Sequence, residues 1–140
     1  MAKKAGTMIV VAAALADEEG RVLLQRRPEG KAMAGLWEFP GGKTEEEERP
    51  EAALVRELEE ELGIAVDEAS LEPAAFASAD NGGRHMLLLL YLCRAWRGDP
   101  APLHASELAW VAPGDMASLR MPPADVPLVE RLIDLVRPAP

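Results

Sequence analysis

Cysteine is all but missing. The 140-residue sequence holds one, Cys93, so no disulfide can form within the chain. Its position inside the apolar run 86–93 suits a buried small hydrophobe better than a nucleophile. Long hydrophobic runs are missing too: the longest, residues 8–16 and 86–93, fall well short of the ~20 residues a spanning helix needs, so neither is expected to cross a bilayer. Basic residues are scarce, 15 Lys and Arg against 24 Asp and Glu for a net charge of −9. That balance argues against binding a nucleic-acid backbone or an anionic membrane through bulk electrostatics. Anionic small molecules stay within reach, because divalent cations bridge an acidic site to a phosphate. No internal repeat and no long linker is visible.

What is present reads as one globular domain spanning residues 1–140. Hydrophobic residues make up 49% and charged ones 28%, close to the average for chains that fold around a single core. At the start, Lys3 and Lys4 precede MIVVAAALA and the triplet Ala14, Leu15, Ala16, an imitation of a secretory signal. The turn-forming cluster 17–20 and the strand-like RVLLQ that follow favour a hairpin whose first arm is a sheet strand, and hence a cytoplasmic protein. Strand patterns occur near residues 8–16, 21–27, 74–79, 86–96 and 108–111. Helices are expected at 50–62, with Pro50 in the first turn and Gly63 just past the end, and at 127–136, where Leu128, Val129, Leu132, Ile133 and Val136 recur at helical spacing. Strands outnumber helices, so the expected fold is α/β, layered, with a mixed or largely antiparallel sheet.

The stretch that carries chemistry is GGKTEEEERPEAALVRELEEELGI, residues 41–64. At ~100° per residue Glu57, Glu60 and Glu61 fall within an arc of about 100°, with Val55, Leu58 and Leu62 forming an apolar stripe beside them and Leu54 between. Like charges at three- and four-residue spacing cost a few tenths of a kcal/mol per pair. A sequence that accepts this cost suggests bound cations, and oxygen ligands suit Mg2+ or Mn2+ shared with substrate phosphates. Gly41 and Gly42 give a turn whose backbone can approach such a group, and Arg56 can pair with a neighbouring carboxylate. Acidity alone fits an ordinary solvated face, as residues 45–48 and Glu59 illustrate.

Spacing changes the balance. Gly42, Glu48, Arg56, Glu57, the apolar Leu58, Glu60, Glu61, Gly63 and the apolar Ile64 stand at every fixed position of the Nudix box. The chain thus resembles the Nudix hydrolases, which cleave nucleoside diphosphates linked to another group. GLWEFPGGK at 35–43, QRRP at 25–28 and PPADVP at 122–127 are similar to segments of the MutT branch, pyrophosphohydrolases of damaged or modified nucleoside triphosphates. The resemblance covers residues 9–135 and implies a single-domain α/β/α sandwich with a mixed central sheet.

That resemblance implies roles. Glu57, Glu60 and Glu61 with the Gly41 carbonyl would bind divalent metal, Mg2+ or Mn2+, and Glu57 would also activate water. Arg56 would orient the carboxylates, while Glu48 would brace the loop or join a water-mediated shell. Water would attack the β phosphorus of a nucleoside triphosphate such as 8-oxo-dGTP, giving monophosphate and pyrophosphate. Arg27, Phe39, Arg84 and Asp125 match or approach positions that line the base pocket in relatives. Phe39 reads equally as a core aromatic, and Arg84, after Asn81, Gly82 and Gly83, more readily as a surface charge at a turn.

Two positions depart from the branch. Asp125 stands where the oxidised-guanine specialist has asparagine, and resembles relatives that accept modified cytosine nucleotides. An ionised aspartate only accepts hydrogen bonds, so guanine O6 would be repelled unless Asp125 is protonated or the base shifts. His104 stands where relatives carry a loop glutamate, leaving that role absent, taken by His104, or supplied by Glu107, in that order of preference. Beside modified-triphosphate hydrolysis stand preference for CTP or 5-methyl-dCTP, hydrolysis of a dinucleoside polyphosphate, and a non-catalytic nucleotide sensor. The expected partner is a small-molecule nucleotide, with no nucleic acid or membrane.

Overall fold

The computed structural model describes residues 6–136. Lys3 and Lys4 of the signal-like start lie outside the described residues, and no helix among them is long and apolar enough to cross a membrane. Chain order runs β1 (Met8–Leu15), β2 (Val22–Arg26), β3 (Trp37–Glu38), β4 (Gly41–Lys43), α1 (Pro50–Leu62), β5 (Leu71–Asn81), β6 (Arg84–Cys93), β7 (Glu107–Val111) and α2 (Val126–Leu135), with short 3-10 turns at Glu68–Ser70 and Pro113–Ser118.

The apolar run of β1 is explained by its place. It lies inside a four-stranded mixed sheet, β4-β1-β6-β5, parallel to β6 and antiparallel to β4. Ala12 and Ala14 point into one core with Leu88, Leu90 and Leu92; Val11, Ala13 and Leu15 point into another with Tyr91 and Cys93. A strand covered on both faces has no need of polar alternation. Leu128, Val129 and Leu132 of α2 complete the first core, and Leu54, Leu58 and Leu62 of α1 the second. The two helices thus cover opposite faces, giving the expected α/β/α layers. Cys93 is free and buried, its thiol hydrogen-bonded to the Ala95 carbonyl.

One reading is corrected and two are refined. The runs at 8–16 and 21–27 do not pair as a hairpin: β2 belongs to a separate antiparallel sheet, β3-β2-β7, and touches the end of β1 only through an isolated bridge, Ala16 to Val22. The turn itself forms, with Asp17 Oδ1 accepting from the Glu19 and Arg21 N–H groups. β1 keeps both its edges for β4 and β6, so the chain leaves the turn into the second sheet. The buried stripe of α1 centres on Leu54, Leu58 and Leu62, each fully buried, with Val55 at its flank. Burying each such leucine stabilises by about 1.5–3 kcal/mol. Finally, β3 and β4 were not anticipated, being too short to show a period.

Candidate active site

Helix α1 begins with Pro50 at its first turn and ends at Gly63, whose left-handed backbone (φ 73°) lets its N–H bond the Glu59 carbonyl at 3.0 Å. Its apolar stripe is pinned to the β1 face, and the carboxylates are carried to the rim beside β4. Strand β4 supplies the floor. A Cβ on Gly42 would stand 2.5 Å from the Glu57 carboxyl carbon, and one on Gly41 would collide with the Val11 carbonyl of β1. Only glycines permit this approach of backbone to carboxylate.

The carboxylates divide into two sets. Glu57 and Glu61 face each other and the β4 backbone: Glu61 Oε1 accepts from the Gly41 N–H at 3.2 Å and from Gln25 Nε2 at 2.9 Å. Burial raises the Glu61 carboxyl to about 7, against those hydrogen bonds, with the Glu57 charge adding to the rise. Glu60 points outward, its side chain 52% exposed and 3.6 Å from Arg56 Nη1. Arg56 is the clamp. Its Nε and Nη2 each donate to Glu48 at 2.9 Å, Nη1 donates to Glu57 Oε2 at 3.2 Å, and Nη2 also reaches the Lys43 carbonyl at 3.2 Å. Glu48 further accepts from the Glu45 N–H at 2.8 Å. The Arg56 hydrogen bonds lead in holding the Glu48 carboxyl down to about 2.

Among the described residues, no group of three His, Cys, Asp or Glu side chains is gathered closely enough to hold a metal ion. The chemistry of the donors nonetheless fits a hard divalent cation: Glu57 and Glu61 are oxygen donors turned toward each other, and Arg56 supplies positive charge to Glu57. Gly41 is tied to Glu61 through its N–H.

A second group lies at the end of β2 and the start of α2. Arg27 Nη1 donates to both Glu38 oxygens at 3.0 and 3.2 Å, and its Nε donates to the Ala32 carbonyl at 2.7 Å. Asp125 is 7% exposed, and its Oδ2 accepts a long hydrogen bond, 3.5 Å, from the Phe39 N–H. Burial first, then the Glu38 charge, raises Asp125 to about 7; burial likewise raises Glu38, opposed mainly by Arg27. The Phe39 side chain belongs to the α2 core, so its backbone, rather than its ring, meets Asp125. Arg27, Phe39 and Asp125 are therefore brought together. Arg84 is not brought to them: it is exposed, hydrogen-bonds the Gly6 carbonyl at 3.0 Å, and lies six β6 positions from Leu90, which sits level with Ala12 and Gly41. At ~3.3 Å per residue that is roughly 20 Å.

His104 is exposed in the loop before β7. That loop is tied to the end of α1, Ala101 N–H to the Leu62 carbonyl and Leu103 N–H to the Glu61 carbonyl, at 3.0 and 3.1 Å. Glu107 is committed elsewhere, paired with Arg26 at 2.9 Å. Two polar residues of the site were not singled out by sequence reasoning, Gln25 and Glu38. Both lie in the quoted QRRP and GLWEFPGGK segments, and their cross-strand pairing has no signal in one sequence.

The NUDIX domain family matches residues 6–132. A CTP pyrophosphohydrolase of Escherichia coli is 39% identical over 94% of this chain and 98% of its own. An 8-oxo-dGTP diphosphatase of Haemophilus influenzae is 36% identical over 89% of this chain and 90% of its own. Among solved structures, the E. coli ORF135 protein superposes with a TM-score of 0.83 at 36% identity, covering 93% of this chain and 91% of its own. The MutT Nudix hydrolase of Burkholderia pseudomallei gives 0.79 at 30%, covering 89% and 97%. A complete box on α1 and β4, within a domain matched almost from end to end, makes this chain a member of the Nudix family, a hydrolase of the MutT type.

Proposed function

We propose that the protein is a Mg2+- or Mn2+-dependent pyrophosphohydrolase of oxidised or modified nucleoside triphosphates, of the 8-oxo-dGTP type, clearing the cytoplasmic nucleotide pool. The observation that carries this reading is the convergence of Glu57 and Glu61 over the side-chain-free backbone of Gly41 and Gly42, with Arg56 fixing Glu57 from the other side. Glu57, Glu60 and Glu61, with the Gly41 carbonyl, would hold the divalent cation. Once bound, the cation lowers the pKa of a water molecule and offsets charge on phosphate oxygens. Glu57 takes the proton of the attacking water, Arg56 keeps its carboxylate on the Gly42 side, and Glu48 holds Arg56 in place by a two-pronged ion pair. Attack at the β phosphorus gives monophosphate and pyrophosphate.

Purified protein with Mg2+ is expected to release pyrophosphate from 8-oxo-dGTP. Glu57→Gln should lower kcat by about 10²–10⁴-fold with circular dichroism unchanged. Full turnover in that variant rejects the role of Glu57. A second reading, preference for CTP or 5-methyl-dCTP, is favoured at pH above about 7, where the Asp125 carboxyl, raised to about 7, is ionised and accepts from the exocyclic amine of cytosine. The kcat/KM ratio between 8-oxo-dGTP and CTP decides between them, because it reports discrimination in the transition state.

A further inference from the structure

Strand β2 alternates between the two cores. Val22 and Leu24 point to the α2 side and Leu23 to the α1 side, so Gln25 also faces α1. There its Nε2 donates to Glu61 Oε1 at 2.9 Å. Across the β2–β3 ladder its register partner is Glu38, and directly opposed residues stand on the same face of the sheet. The amide thereby stands beside the Glu38 carboxyl and lowers it slightly, a smaller influence than that of Arg27, which pairs with Glu38 at 3.0 Å.

The amide carbonyl has the opposite fortune. Gln25 is 5% exposed, and its Oε1 is buried with no hydrogen-bond partner, alone in this among the described residues. Rotating the amide by half a turn would set that oxygen against two carboxylates, so the electrostatics of the surroundings fix its orientation. A buried acceptor left without a partner destabilises the fold. Leucine, of similar size, would avoid the cost, and the neighbouring positions Leu23 and Leu24 are leucines. The fold alone therefore gives no reason for glutamine here, whereas two half-buried carboxylates facing it do.

We infer that Gln25 is a positioning residue: its NH2 group donates to Glu61 while its side chain stands directly opposite Glu38 in the β2–β3 ladder, so that it links the carboxylates at the polyphosphate end of the site to those at the base end. The inference rests on the proposed function for which end is which. Gln25 acts through Glu61, whose carboxylate it holds against the Gly41 N–H. Groups that orient metal-binding side chains in this way typically contribute 10- to 100-fold in metal affinity.

The test is a double-mutant cycle read by calorimetric titration of the full chain with Mn2+ alone, without nucleotide. Gln25→Leu is expected to weaken Mn2+ binding about 10- to 100-fold, with the far-ultraviolet circular dichroism of the wild type. Glu38→Gln should weaken it several-fold in the wild-type background and at least threefold less when Gln25 is already leucine, the signature of coupling through a shared group. Additive effects, or a Glu38→Gln protein with unaltered Mn2+ affinity, overturn the link. If Gln25→Leu fails to fold, Glu38→Gln alone decides: Mn2+ affinity weakened several-fold supports the link through the residue opposite it, and unaltered affinity overturns it. The outcomes separate from the proposed function. A wild type that binds Mn2+ but releases no pyrophosphate removes the function and leaves the link to be read from the cycle, whereas additivity in an active enzyme removes only the link.

Discussion

Asp125 carries a carboxyl group buried against the Phe39 backbone with the Glu38 charge nearby, and both influences raise it to about 7. The folded chain then keeps a proton that the unfolded chain gives up near pH 4. Stability from this group is complete below about pH 4, falls as pH rises, and is gone above about 7. Asp125→Asn should flatten that decline, so urea denaturation between pH 4 and 7 should show wild type losing stability relative to the variant; parallel curves would refute the buried acid. Near neutrality the protonated form offers a donor to a purine carbonyl and the ionised form an acceptor to a cytosine amine. The residue's identity and place in PPADVP could be read from sequence, but its burial beside Glu38 could not, because the two meet only once α2 packs near β3.

Helix α1 was legible to its last residue because its punctuation is local: Pro50 opens it and Gly63 closes it. The spacing of Arg56, Glu57, Glu60 and Glu61 carried the family along with it. All four apolar residues of the helical wheel pack in one core, Leu54, Leu58 and Leu62 fully buried and Val55 partly, a grading that the packing of β1 and β6 decides. Leu58→Ala should cost about 2–5 kcal/mol in chemical denaturation, while Leu135→Ala on the exposed side of α2 should stay within about 0.5 kcal/mol. Equal losses would mean that α1 is not anchored as described. The turn at Asp17 shows the opposite limit. Its chemistry was correctly a reversal, yet turn chemistry does not say which sheet the departing strand joins, and that choice fell to β7, which pairs with β2 over Val22 to Arg26.

Across the chain acidic residues outnumber basic ones by nine, and Glu57, Glu60 and Glu61, the proposed cation ligands, belong to that excess. Cations are expected to relieve this in the resting protein as well as in turnover. Millimolar Mg2+ should raise the melting temperature, by up to the equivalent of ~2.7 kcal/mol at a hundredfold excess over Kd, and a chelator should reverse it. The increment should shrink in Glu61→Gln; a melting temperature indifferent to Mg2+ would count against the proposed ligands. The α/β layering was legible because strand and helix periods are local. The division into two sheets was not, since it depends on pairings between distant strands.

One of those pairings bears on how the polypeptide is made. β1 lies side by side with β6, Met8 level with Met86 and Leu15 with Cys93, so an early apolar segment finds its neighbour only after most of the sequence has followed. Contacts this remote close slowly. During synthesis β4 and α1 can cover part of the segment early, but the edge that β6 takes stays open until β6 is made, a window in which aggregation competes with folding. Production in cells should therefore respond to slower translation or to added chaperone more strongly than equilibrium stability alone would suggest.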